Sequence, residues 1–261
     1  MIAGIEKACE NTMEYIDCHC HLAENYFYKH IKEFIQEWNE KGIKQIGAMA
    51  TNGKTAKRTI ELATTFPETI VAGIGRHPWG AHKTTEEELL KFEEWISKPE
   101  VKIIGEVGLD HYFIREPEKW EKQREVFRFF LDMAEKYQKP LMIHSTGAEK
   151  EIFELLETRK LKTNVCFHWF SGDISILTKL MDLGAYFSIN PAVAQSKRHQ
   201  QVVQTVALDH LLTESDGTVK FRGEIGTPLL MPFVCKEIAK RKKIPFEAVV
   251  QAVQTAFEKY L

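Results

Sequence analysis

Eight short apolar runs recur along this chain, separated for the most part by longer stretches in which apolar residues fall three and four apart. The runs are 14–22 (EYIDCHCHL), 43–50 (IKQIGAMA), 70–74 (IVAGI), 101–105 (VKIIG), 141–144 (LMIH), 164–168 (NVCFH), 186–189 (YFSI) and 211–214 (LLTE). Short apolar runs of this length read as buried strands, and the three-and-four spacing of 54–66, 85–97 and 120–137 reads as helix. At Thr84-Thr85-Glu86-Glu87-Glu88, hydroxyls and carboxylates crowd a helix start and favour its positive end. Strand, helix, strand, eight times over, predicts an α/β fold in which a parallel sheet closes into a (β/α)8 TIM barrel. No linker rich in Pro, Gly or Ser interrupts the pattern, so residues 1–261 are expected to form a single domain, with an additional helix over 245–260 packing outside it.

Which chemistry such a barrel could carry is narrowed by charge and cysteine usage. Lys and Arg number 35 against 37 Asp and Glu, a net charge of −2, so no bulk positive field gathers nucleic acid and any polyanion must be held locally. The five cysteines, Cys9, Cys18, Cys20, Cys166 and Cys235, are odd in number and form no CxxC pair, which fits free thiols in a reducing compartment. The opening MIAGIEKACENTMEY holds no run long enough for a signal peptide, and no later stretch is long enough to span a bilayer. A cytoplasmic protein without a membrane partner is expected. The oligomeric state is open, and a monomer is compatible with the sequence.

In a barrel of this kind the reacting groups sit at the C-terminal ends of the strands. Within 14–22, strand alternation puts Asp17, His19 and His21 on one face and Ile16, Cys18, Cys20 and Leu22 on the other, so the imidazoles can converge while the cysteines pack toward the helices. Taken alone, HxH fits a pair of hydrogen-bonded histidines equally well. The remaining runs add to it. Glu106 follows the fourth strand in GEVGLD, His144 ends the fifth in LMIHS, His168 ends the sixth in CFHWFSG, and Asp216 follows the eighth in TESDG. Six nitrogen or carboxylate donors gathered at one end of five strands predict a metal centre.

These segments, DCHCHL, GEVGLD, IHS, HWFSG and TESDG, resemble in order the motifs of the TatD family of metal-dependent hydrolases, from about residue 15 to the C-terminus. The resemblance implies two divalent ions: His19, His21 and Asp216 would hold the first, Glu106 would bridge to the second, and His144 and His168 would complete it. Imidazole and carboxylate donors suit Zn²⁺ and Mn²⁺ and, with more water, Mg²⁺, so the identity of the metal stays open. Glu106 and Asp216 are then the catalytic carboxylates, with Asp216 accepting a proton from the attacking water. His77, in GRHPW, matches the family's GxHP motif and is expected in the substrate pocket. Asp17 is expected to orient a ligand imidazole, and Trp169 and Ser171 to shape the pocket.

The family implies a deoxyribonuclease, typically a 3′ to 5′ exonuclease on single strands, with DNA as partner. Lys197, Arg198, Lys220 and Arg222 follow the seventh and eighth strands, where they could contact phosphates. The chain departs from the family in several places. Ser215-Asp216-Gly217-Thr218 stands where TDAP or TDSP is usual, Gly226-Thr227-Pro228 where Asn-Glu-Pro is usual, and Thr146 where an arginine follows IHS. Hydrolysis of another ester or an amide, such as a D-aminoacyl-tRNA ester or a small phosphoester, is the alternative, and a non-catalytic barrel subunit is a third.

Overall fold

The computed structural model describes residues 13–261; Cys9 and most of the segment read for a leader lie outside the described residues. In chain order the elements are β1 (Tyr15–Cys20), α1 (Asn25–Tyr28), α2 (Ile31–Glu40), β2 (Ile43–Met49), α3 (Gly53–Thr65), β3 (Ile70–Ile74), α4 (Glu86–Ile96), β4 (Val101–Gly108), α5 (Pro117–Tyr137) and β5 (Leu141–His144). They continue with α6 (Glu149–Arg159), β6 (Val165–Phe167), α7 (Ile174–Asp182), β7 (Tyr186–Ile189), α8 (Lys197–Thr205), β8 (Leu211–Thr213), β9 (Lys220–Phe221), β10 (Glu224–Ile225), α9 (Met231–Lys242) and α10 (Phe246–Tyr260). Strands β1 to β8 lie side by side in sequence order, every neighbouring pair parallel, with helices around them: the expected (β/α)8 barrel.

Local chemistry sets the elements that surround the mouth. Asn52 caps α3 by accepting the Lys54 and Thr55 amides, and the Thr55 hydroxyl accepts the Asn52 amide in return, a capping box that fixes the loop after β2. Thr85 caps α4 through the Glu88 amide, as its sequence predicts. Inside the sheet, glycines admit the bulk of their neighbours. A Cβ on Gly73 would stand 2.3 Å from the Met49 sulfur, and one on Gly105 2.6 Å from the Met142 Cβ. Both strand glycines are therefore fixed by close approach.

The barrel meets itself at β1 and β8 without a regular ladder among the described residues. That seam is closed by specific groups instead. The Asp216 amide donates to the His19 carbonyl at 2.9 Å and the His21 amide to the Gly217 carbonyl at 2.6 Å. The Thr213 hydroxyl donates to the Ile16 carbonyl at 2.5 Å, and one oxygen of Asp17 accepts the Ser215 amide at 3.0 Å.

One expectation is corrected here. β1 carries an irregularity between Asp17 and Cys20, so strict alternation fails. The Cys18 thiol does not face the helices but lies beside Cys166 of β6, a strand that is not its neighbour in the sheet, so it turns to the barrel interior; burial first, and Cys166 beside it, push its pKa well above the usual thiol value. As expected, the additional helix α10 packs outside the barrel, where it lies across the N-terminal ends of the strands. The Gln254 amide donates to the Glu14 carbonyl, and the Asn164 amide to the Lys259 and Tyr260 carbonyls. Phe246 meets Tyr15, and Tyr260 meets Tyr186, with ring centroids 6.4 and 5.6 Å apart. Cys18, Cys20, Cys166 and Cys235 are all buried free thiols, and no helix among the described residues is long and apolar enough to cross a membrane.

Candidate metal centre

The six residues singled out as metal donors meet at the C-terminal end of the barrel. His19 is the last residue but one of β1 and His21 follows the strand; Glu106 lies within β4, His144 closes β5, His168 follows β6 and Asp216 follows β8. Glu106 divides its two oxygens. Its Oε2 lies 3.5 Å from the Nε2 atoms of both His19 and His21, while its Oε1 lies 2.9 Å from His144 Nδ1 and 2.9 Å from His168 Nε2. Asp216 Oδ1 stands 3.6 Å from His19 Nε2 and 3.4 Å from His21 Nε2, and those two nitrogens are 3.4 Å apart. Three groups of donor atoms are each close enough to share an ion: His19, His21 and Asp216; His19, Glu106 and His168; and His77, Glu106 and His144.

The far side of each ring decides what its near side can do. His21 Nδ1 lies 3.0 Å from the Met49 carbonyl, which can only accept, so Nδ1 carries the proton and Nε2 turns a lone pair inward. His144 Nε2 lies 2.8 Å from a carboxylate oxygen of Asp110, which leaves Nδ1 as the inward lone pair. His77 is reversed. Its Nδ1 accepts the Trp79 amide at 3.2 Å, so its proton is on Nε2, 3.2 Å from Glu106 Oε1. His77 therefore presents a donor to the cavity, and the third group of atoms loses one of its ligands on chemical grounds.

Lone pairs of His21 and His144 and the carboxylates of Glu106 and Asp216 thus face one another with too few protons between them. The donor set fits one or two divalent cations. Protons respond to the same field. Burial works against charge on His21, but the Asp216 and Glu106 carboxylates outweigh it and raise His21 to about 9. His168 is raised well above its ordinary value in the same way, chiefly by Glu106. His19, deeper and beside His168, is lowered by burial. Glu106 is held well below the usual carboxylate range, because the surrounding histidines, His77 and His168 foremost, overcome its burial.

A second layer of carboxylates, to which the sequence assigns no role, holds these rings. Asp110 accepts from His144 at 2.8 Å, from the Trp79 indole N–H at 2.7 Å, and from the Tyr112 and Phe113 amides at 3.0 and 2.7 Å. Burial would raise this carboxyl, but those donors hold it at about 2. Glu214 accepts from the Ser188 hydroxyl at 2.6 Å, the Trp169 amide at 3.1 Å and the Asn190 amide at 3.2 Å, with His168 Nδ1 3.7 Å away. Both lie inside the motifs GEVGLD and TESDG, and that position was the only signal available. Asp17, expected to orient an imidazole, holds backbone instead: Oδ1 accepts the His19 and Ser215 amides, Oδ2 has no hydrogen-bond partner among the described residues, and burial raises its pKa to about 7. Trp169 and Asp216 both sit in the left-handed region, with φ of 43° and 48°; such strain is tolerated where surrounding bonds over-determine the chain.

Above the cluster opens a cavity of about 1100 Å³, lined at its floor by His21, Glu106, His144, His168 and Asp216. His77, Trp169 and Ser171 line it, as expected. Of the four basic residues expected at phosphates, only Arg198 reaches it, with its guanidinium donating to the Ser171 carbonyl at 3.1 Å. Lys197 is exposed at the start of α8, Lys220 is exposed on β9, and Arg222 sits at the β9–β10 turn facing the Gln195 amide. Arg76, also in the wall, is tied to Thr84, the Gly80 carbonyl and Glu88.

Comparison with known proteins agrees with this geometry. The sequence model of the family described as TatD related DNase matches residues 16–261. An uncharacterized metal-dependent hydrolase of Methanocaldococcus jannaschii is 30% identical over 92% of this chain and 94% of its own length. A relative in Danio rerio, provisionally named a deoxyribonuclease, is 24% identical over 91% and 93% of the two chains. In three dimensions a TatD homolog from Escherichia coli superposes with a TM-score of 0.87 at 22% identity, over 95% of this chain and 97% of the other. Seated at the mouth of a barrel shared with that homolog, and matched by the family from the first strand to the last residue, the chain belongs to the TatD family of metal-dependent hydrolases.

Proposed function

We propose that this protein is a deoxyribonuclease that removes nucleotides from a strand end in the 3′ to 5′ direction, using His19, His21, Glu106, His144, His168 and Asp216 to hold two divalent ions. The observation that carries it is the division of Glu106, whose two oxygens serve two separate sets of imidazoles. Bound there, divalent ions supply Lewis-acid polarisation of a phosphoryl oxygen and lower the pKa of water. The protein's own groups supply the rest. Asp216 lies at the cavity floor, where it takes a proton from the attacking water and returns it to the departing 3′ oxygen. His77 offers its Nε2–H to a phosphate oxygen and so fixes the scissile group over Glu106. Arg198, which lines the cavity and donates to the Ser171 carbonyl, is the cation that turns toward a neighbouring phosphate.

A second reading, hydrolysis of an aminoacyl ester, is favoured by one feature: Glu24, Glu149 and Asp173 line the cavity, Thr146 occupies the place of the family arginine, and carboxylates suit an ammonium better than a phosphate. Protein reconstituted with Mg²⁺ or Mn²⁺ and given 5′-labelled single-stranded DNA should yield a ladder shortening from the 3′ end, absent in the His19→Ala, His21→Ala double variant. A ladder of equal strength with that variant, or release of amino acid from D-aminoacyl-tRNA with DNA untouched, would replace the nuclease assignment.

A further inference from the structure

One wall of the cavity is aromatic and exposed. Trp79, Tyr112 and Phe113 line it with 49%, 56% and 58% of their surface accessible, although large apolar side chains are otherwise mostly buried in this fold. They come from the loops after β3 and β4. The Trp79 and Phe113 rings meet edge to face at 5.4 Å, and Tyr112 and Phe113 at 4.9 Å. A single carboxylate fixes all three relative to the reacting centre: Asp110 takes the Trp79 indole N–H and the Tyr112 and Phe113 amides on one side and the His144 ring on the other. Three rings are thus held open to solvent by a residue that also holds a candidate metal ligand.

Charge narrows what they could bind. A nuclease ordinarily gains affinity from phosphates, but of the two guanidinium groups in this cavity Arg76 pairs with Glu88 and Arg198 donates to the Ser171 carbonyl, against the carboxylates of Glu24, Glu106, Glu149, Asp173 and Asp216, and the chain as a whole is slightly acidic. Affinity for a nucleic acid has to come from elsewhere. Base stacking on aromatic rings supplies it without charge and without sequence preference, since every base has a π-face. A base still paired in a duplex has that face covered.

Resting on the nuclease reading, we propose that Trp79 and Phe113, with Tyr112 beside them, form a stacking platform for the unpaired base next to the scissile phosphate. The platform selects single-stranded ends and sets KM.

The test crosses enzyme with substrate. Wild type, Phe113→Ala and Phe113→Trp, loaded with Mn²⁺, are compared on a single-stranded oligonucleotide and on one with abasic sites at its last three 3′ positions. Phe113 is more than half exposed, so its replacement leaves the core intact. For wild type the abasic ends should raise KM about 5- to 100-fold, and Phe113→Ala should do the same on the intact strand. The two losses should not add, kcat should hold, and Phe113→Trp should restore KM. Binding of both oligonucleotides to Asp216→Asn, followed by fluorescence anisotropy, should show the same preference for bases, with a log–log salt slope near −0.7, one phosphate contact. Equal KM for intact and abasic ends, or losses that add, would overturn the platform while leaving the nuclease in place. Absence of DNA cleavage would remove the nuclease assignment, and anisotropy that ignores the bases, or a salt slope of −3 or steeper, would overturn the platform independently.

Discussion

The two ends of the barrel are made by the same strands and hold opposite contents. At the C-terminal end Asp17, His19, Glu106, Asp110, His144, His168, Glu214 and Asp216 are all buried, and nearly every one faces another ionisable group. At the N-terminal end α10 covers the strands with Phe246, Phe257 and Tyr260, Phe246 meeting Tyr15 of β1, and the nearby thiols of Cys18 and Cys166 are buried. Buried charge costs free energy unless it is paired or ligated, whereas buried rings contribute it. One end therefore stabilises the fold and the other uses part of that stability to hold a reactive arrangement.

That contrast can be broken from either side. The largest effect belongs to Asp216→Asn, which keeps the shape and removes the base. Turnover of the true substrate should fall about 10²–10⁴-fold, while the thermal midpoint stays near wild type. A midpoint that collapsed along with the rate would give Asp216 a structural role at the seam. At the other end, Phe257→Ala should cost about 3–5 kcal/mol in urea unfolding and leave the activity of each folded molecule unchanged.

His199 tests the border between the two. It is buried, its Nε2 accepts the Asn190 amide, and burial holds its pKa at about 4 against an ordinary 6.5. The unfolded chain takes up a proton near pH 6.5 and the folded protein only near pH 4, so between those values stability falls as pH falls. The loss should reach on the order of 3 kcal/mol at pH 4 relative to His199→Gln, read from denaturation at each pH. Parallel pH curves for the two proteins would contradict it. Smaller still, a divalent ion at about 100 times its dissociation constant should stabilise the wild type by about 2.7 kcal/mol and the His19→Ala, His21→Ala variant not at all. Equal stabilisation of both would move the ion to another site.

Much of this was legible in the chain. Strands 70–74, 141–144 and 186–189 coincide with Ile70–Ile74, Leu141–His144 and Tyr186–Ile189, because continuous apolar runs bounded by polar segments leave little choice of period. His19, His21, Glu106, His144, His168 and Asp216 were legible as one cluster because a parallel barrel forces strand ends together. What could not be read depends on partners far away in sequence. The tautomers of His144 and His77 are set by Asp110 and by a backbone amide, and the outward look of Cys18 fails because β1 departs from its regular register with β2. Lys220 and Arg222 follow β8 in sequence, but they fall on the β9–β10 hairpin, and the cavity is lined on that side by Thr218 and Val219 instead.

The seam between β1 and β8 carries a further consequence. His19 and His21 belong to the first strand and its end, Asp216 to the loop after the eighth, and Asp216 comes 195 positions after His21. No shorter product of synthesis can assemble that trio, because its final member is made only after all eight barrel strands. A nascent chain emerging from the ribosome is therefore inert until the barrel is ready to shut, and an ion gripping both strands would act as the clasp. Hydrogen exchange at the His21 and Asp216 amides, slow with metal and faster without, would record that clasp opening.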